Sequence, residues 1–332
     1  MAALVPEGDG NWRSLAPQSA GTLFRLCSNY SGPQICNWAV PVEDSNPLCR
    51  SCQLTRTLPD LSLPGNHDAW RKLEAAKRRV LYSLFRMGLT VAPRQQDAGQ
   101  GLAFEFLGDA AIEADPGSRA AVMTGHDSGV ITVNAAEAND AEREKRRLQL
   151  HEPYRTLLGH LRHETGHYFW DVIVKDSVRL EAFRAAFGDE QADYAAALQR
   201  HYEQGAPADW NVQFISAYAS MHPWEDWAET WAHYLHMTDA LETAASSGLT
   251  IAAPGLTRSY APAEFASSQI FNVPFEKLIE HWMELAFVLN NLNRSLGLAD
   301  GYPFVLSAPV IEKLRFTHES IASTRTPLSK TL

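Results

Sequence analysis

Over residues 69–89 apolar side chains return every three or four positions. Leu73, Ala76, Val80, Leu81, Leu84 and Met87 share one face, a spacing that predicts an amphipathic helix. The period then changes. Residues 102–107, 122–126 and 129–134 read as extended segments, and the last (Gly-Val-Ile-Thr-Val-Asn) is β-branched and alternating. Charged helical sequence over 139–150 ends at His151-Glu152-Pro153, because proline cannot continue the hydrogen-bond ladder. A new helix starting near Pro153 carries Leu157, Leu158, Leu161, His163, Glu164 and His167, followed by Tyr168, Phe169 and Trp170. Further helices are expected over 179–187, 190–203, 223–247, 274–296 and 309–323, with Tyr302-Pro303 separating the last two. The sum is a helix-rich α+β domain with a short antiparallel or mixed sheet ahead of the helix at 153–170.

That helix contains His163-Glu164-Thr165-Gly166-His167. Residues four apart lie one turn apart on nearly the same face, so both imidazoles can reach one ion. Glu164 projects about 100° round from His163, within reach of a water on that ion. Zinc with three protein ligands keeps a position open for water and lowers its pKa to near 7. Glu164 can then take the proton and pass it to a leaving amine. A solvated histidine pair would carry no such chemistry, but these flanks are apolar. Burying two imidazoles and a carboxylate without partners costs several kcal/mol by order of magnitude, and a metal supplies the partner. Gly166 is expected to clear space beside the ion.

The third ligand is sought in residues 221–233, where Pro223 suits a first helical turn. Glu225 and Glu229 stand one turn apart there, and Trp224, Trp227 and Trp231 argue against an exposed helix. Glu225 is assigned to the metal and Glu229 to orienting a ligand histidine; Asp226 and Glu229 remain rival ligands. Tyr218, His222 and His233 would lie near enough to donate to an oxyanion. His151, His160, His201 and His236 read as ordinary surface or core histidines. Residues 129–134 are either a core strand or an exposed edge on which substrate adds as a strand.

All four cysteines fall in one short stretch, spaced Cys27-x8-Cys36-x12-Cys49-x2-Cys52. Four thiolates would close the coordination sphere of a structural zinc; an iron–sulfur site or free thiols are the alternatives. Residues 1–21 lack the basic start and apolar stretch of a secretory signal, so a reducing cytosol is the expected compartment. The expected divisions are a flexible tail over 1–21, a cysteine module over 22–60 and the main domain over 61–325. No apolar run approaches the roughly 18 residues of a membrane span. A net charge of −10 disfavours general nucleic-acid binding, which needs a basic footprint. The basic cluster Arg71, Lys72, Lys77, Arg78 and Arg79 reads as a solvated helix face.

Several stretches together resemble a family of bacterial zinc-binding metallopeptidases. They are Cys36-Asn37-Trp38, Leu48-Cys49-Arg50-Ser51-Cys52, residues 70–79, His163-Glu164-Thr165-Gly166-His167, residues 222–230 and Tyr302-Pro303-Phe304-Val305-Leu306. The likeness runs from about residue 24 onward. It implies an N-terminal zinc ribbon followed by a zincin-like (gluzincin) peptidase domain, with peptide or protein as substrate. Members commonly carry further paired cysteines ahead of this set; here none precedes Cys27. The expectation is a hydrolase with one catalytic and one structural zinc. Its rivals are a non-catalytic zinc protein that docks a partner and a zinc amidohydrolase acting on a non-peptide bond.

Overall fold

The computed structural model describes residues 4–16, 19, 21–97, 99–108, 122, 124–149, 156–253 and 256–325. The fold is α+β, and the chain divides into two compact units. One holds residues 4–82 and 90–149; the other holds 83–89 and 156–325.

In the first unit, strands β1 (Leu4–Gly8), β2 (Asn11–Ser14), β3 (Leu23–Leu26) and β4 (Ala39–Pro41) form one antiparallel sheet in chain order. Two of these strands occupy residues whose composition predicts a flexible tail. Gly8, Asp9 and Gly10 all adopt positive φ, and the tight turn they make lets β1 fold back on β2. Trp12 then pairs with Pro6 on one side and Phe24 on the other.

A second, mixed sheet has the order β5 (Thr55–Thr57), β6 (Ala103–Leu107), β8 (Val130–Asn134), β7 (Gly125–Asp127). β8 runs parallel to β6 and antiparallel to β7, so both its edges are taken and Ile131 and Val133 are buried. It is a core strand, not an edge on which a substrate can add. Helices α1 (Asn66–Arg86) and α2 (Asp140–Gln149) complete the unit's main elements. The basic face expected on α1 is only partly solvated. Lys77 is fully buried and Arg78 nearly so. Glu74, one turn earlier, explains this: its Oε1 lies 2.9 Å from Lys77 Nζ and accepts the Thr55 hydroxyl at 2.5 Å. The ammonium also faces the Phe104 ring at 5.4 Å.

The second unit contains α3 (Leu157–Ile173), α4 (Leu180–Phe187), α5 (Tyr194–Gln204), α6 (Pro223–Ser246), α7 (Phe275–Ser295) and α8 (Ala308–Thr324), with a hairpin of β9 (Thr250–Ala253) and β10 (Leu256–Ser259). The start expected for α3 near Pro153, and His151 ahead of it, lie outside the described residues. Thr156 caps α3, its hydroxyl accepting the Gly159 N–H at 3.0 Å. Among the described residues no helix is long and apolar enough to cross a membrane.

Helices α3 and α6 pack closely, and Gly166 is the reason. A Cβ at Gly166 would stand 2.9 Å from Ala228 Cα and 3.2 Å from Trp231 Cβ. The missing side chain thus makes room for the backbone of α6, not for an ion. The Trp227 indole N–H bonds the Gly166 carbonyl at 2.8 Å, and Phe169 stacks on Trp231 at 4.9 Å. Gly166→Ala is expected to cost about 1–3 kcal/mol through overpacking, read as a melting temperature lowered by several degrees. An unchanged melting temperature would show that the helices can part freely.

Candidate metal centre

Three residues before the Gly166–Ala228 contact stand His163 on α3 and Glu225 on α6. The helix crossing therefore brings the preceding turns of both helices face to face. His163 Nε2 lies 3.0 Å from Glu225 Oε2, and His167 Nε2 lies 3.4 Å from the same oxygen. The two Nε2 atoms are 3.1 Å apart. Tetrahedral donors about 2.0–2.1 Å from a zinc ion would be separated by roughly 3.3–3.4 Å, close to this triangle.

The proton inventory favours a cation at its centre. His163 donates through Nδ1 to Glu229 Oε1 at 2.7 Å, so a neutral His163 presents a lone pair at Nε2. That lone pair faces Glu225 Oε2, which accepts no hydrogen bond from the described residues. Burial disfavours charge on His163, yet the Glu225 and Glu229 carboxylates beside it outweigh that and raise the imidazole well above its usual range. Glu225 is held well below the carboxylate range, the nearby imidazoles overcoming its burial. This pocket requires positive charge, from a proton or a metal ion, and the donor set fits zinc.

The three acids of α6 take different partners. Glu229 accepts from Ser216 at 2.6 Å as well as from His163; burial would raise it, but these bonds and the His163 charge hold it at about 2. Asp226 faces elsewhere, with its Oδ2 2.6 Å from Lys313 Nζ on α8, which also donates to the Gln213 carbonyl at 2.8 Å. Burial pushes Asp226 up to about 7 against the pull of Lys313. Only Glu225 is thus brought to both imidazoles.

Glu164 is buried beside the trio without joining it. Its Oε1 lies 3.6 Å from His160 Nε2, and its Oε2 has no hydrogen-bond partner among the described residues. Of the three candidate oxyanion donors, Tyr218 stands beside the centre, its ring centroid 6.0 Å from that of His163. His222 is committed elsewhere: it caps α6 by accepting the Trp224 N–H at 3.1 Å and donates to the Ala192 carbonyl at 3.0 Å. His233 shares a hydrogen bond of 2.9 Å with the Tyr302 hydroxyl, and its burial lowers it to about 4.

Sequence reasoning missed Tyr194, Ser216 and Lys313. Tyr194, on the first turn of α5, donates to Glu225 Oε1 at 2.8 Å. No periodicity or motif links these three to α6; only the tertiary fold does. The aromatic rim, by contrast, was signalled by the tryptophans of α6. Trp224 lies over the His167 ring at 3.7 Å between centroids.

In the other unit, Cys27, Cys36, Cys49 and Cys52 are buried and unbridged, with their sulfurs within 4.8 Å of one another. Cys36 and Cys49 Sγ are 3.6 Å apart, near the roughly 3.8 Å edge of a tetrahedral zinc–sulfur site. Backbone N–H groups of Cys49 and Trp38 point at Cys27 and Cys36 Sγ, at 3.3 and 3.4 Å, as suits thiolates.

Comparison with known proteins finds zinc-binding families over both parts of the chain. A zinc-ribbon family matches residues 1–63, and the family described as "Putative zinc-binding metallo-peptidase" matches residues 66–320. Proteins described as uncharacterized in Mycobacterium tuberculosis and Mycobacterium bovis are 45 % identical over 295 residues, covering 89 % of this chain and 81 % of theirs. No solved structure matches the chain.

Proposed function

The chain belongs to this family of zinc-binding metallopeptidases, and from that premise we propose that it hydrolyses peptide bonds at the centre formed by His163, His167 and Glu225. The observation that carries the reading is the convergence of three lone-pair donors beside a buried carboxylate, Glu164, with an oxygen to spare. Zinc held there by His163, His167 and Glu225 would supply Lewis acidity and lower the pKa of a bound water to near 7. Glu164 accepts one proton as the water oxygen bonds the peptide carbonyl carbon. It returns that proton to the amide nitrogen as the C–N bond breaks, and the water's second proton then passes from the new carboxyl group to the amine, leaving a carboxylate and an ammonium product. Glu229 fixes the His163 ring so that Nε2 faces the ion. Tyr218, whose ring stands beside His163, donates to the developing oxyanion. The four cysteines hold a second, structural zinc.

Zinc dependence tests this directly. With a mixed peptide library, cleavage is expected to vanish on chelation and to return on adding back about one equivalent of zinc. If a chain holding both zincs cleaves no peptide, a binding role or a non-peptide amide substrate takes the place of the peptidase reading.

A further inference from the structure

We propose that Tyr194 is a positioning residue that aims one oxygen of Glu225 at the two imidazoles and thereby sets how tightly the centre holds its ion. The inference rests on the reading of His163, His167 and Glu225 as that centre. Glu225 turns Oε2 toward both imidazoles, while Oε1 takes the hydrogen bond from the Tyr194 hydroxyl at 2.8 Å. A carboxylate whose outer oxygen is free can swing its near oxygen off the ion, which loosens the grip. A donor fixed on that outer oxygen opposes the swing. Tyr194 thus does for Glu225 what Glu229 does for His163: each holds the far atom of a ligand and aims the near one.

Tyr194 is itself held for this task. Asp193 caps α5, and the Ala192 carbonyl just before it takes the His222 imidazole N–H at 3.0 Å. His222 therefore ties the start of α5 to the start of α6. The Tyr194 ring meets the His222 ring at 5.3 Å and the Trp224 ring at 6.0 Å between centroids. Despite these contacts the side chain is 36 % exposed, an unusual station for a group bonded to a carboxylate that is 2 % exposed. Packing alone does not require a hydroxyl there.

The test is Tyr194→Phe in the full chain, which removes one oxygen and keeps the ring. Zinc content at saturation, zinc affinity by competition with a chromogenic chelator, and melting temperature of the zinc-free chain are measured together. Wild type is expected to hold two zincs. The variant is expected to hold two as well, with the weaker dissociation constant raised about 10–100-fold and zinc-free melting unchanged. Equal affinity in the two chains overturns the inference and leaves the centre standing, as does a lowered melting temperature with affinity unchanged. A wild type whose zinc content does not respond to His163→Ala with His167→Ala overturns the underlying reading instead.

Discussion

Glu164→Gln is expected to retain both zincs and to lower kcat by about 10²–10⁴-fold. Glutamine keeps the shape of the side chain and cannot accept a proton at working pH. Glu164 is not among the donors that converge on the centre, so metal content is expected to hold. Its Oε2 makes no hydrogen bond among the described residues, so the uncharged variant loses no such bond at that atom. Metal analysis together with kcat on a cleaved peptide separates the cases. Undiminished turnover would remove Glu164 as proton acceptor, and loss of zinc would mean that it holds the ion after all.

Replacing His163 and His167 together by alanine is expected to reduce bound zinc from two per chain to one. The remaining ion belongs to Cys27, Cys36, Cys49 and Cys52, whose sulfurs already cluster within 4.8 Å. Stability is expected to fall as well. Glu229 owes its low value chiefly to His163 and, with its side chain 20 % exposed, would be left with only the Ser216 hydroxyl, a loss of about 1–3 kcal/mol. Zinc per chain by elemental analysis reads the first effect and denaturant titration the second. A double variant that still binds two zincs would show that the second ion sits somewhere else.

Much of the helical frame was legible because its signal is local. The apolar spacing over 69–89 and 223–247 anticipates α1 at Asn66–Arg86 and α6 at Pro223–Ser246 within a few residues. The candidate ligands on α3 were legible for the same reason, since four-residue spacing on one helix is itself the geometry. The choice among Glu225, Asp226 and Glu229 was not. One helix offers all three, and their roles are decided by His163, Lys313 and Ser216, between 13 and 87 residues away along the chain by the bonds they make. His222 illustrates a different limit. Before Pro223 its place is the helix cap, and a capping imidazole has no nitrogen left for an oxyanion. Lys77 was misjudged because its charge is cancelled within α1 by Glu74, and only then does Phe104 cover it. The first hairpin went unseen because its strands are short and contain proline and glycine, and the sheet forms only when β3 joins.

The crossing of α3 and α6 acts as a gauge. The donors stand on two stiff rods, one turn from the point where a glycine lets the rods touch, so backbone separation rather than loop adjustment fixes the span between His163 and Glu225. A hydrogen atom in place of a methyl group at that touching point keeps the span near the spacing of two donors around a small divalent ion. The identity of residue 166 thus bears on the distance between donors, although it offers none itself.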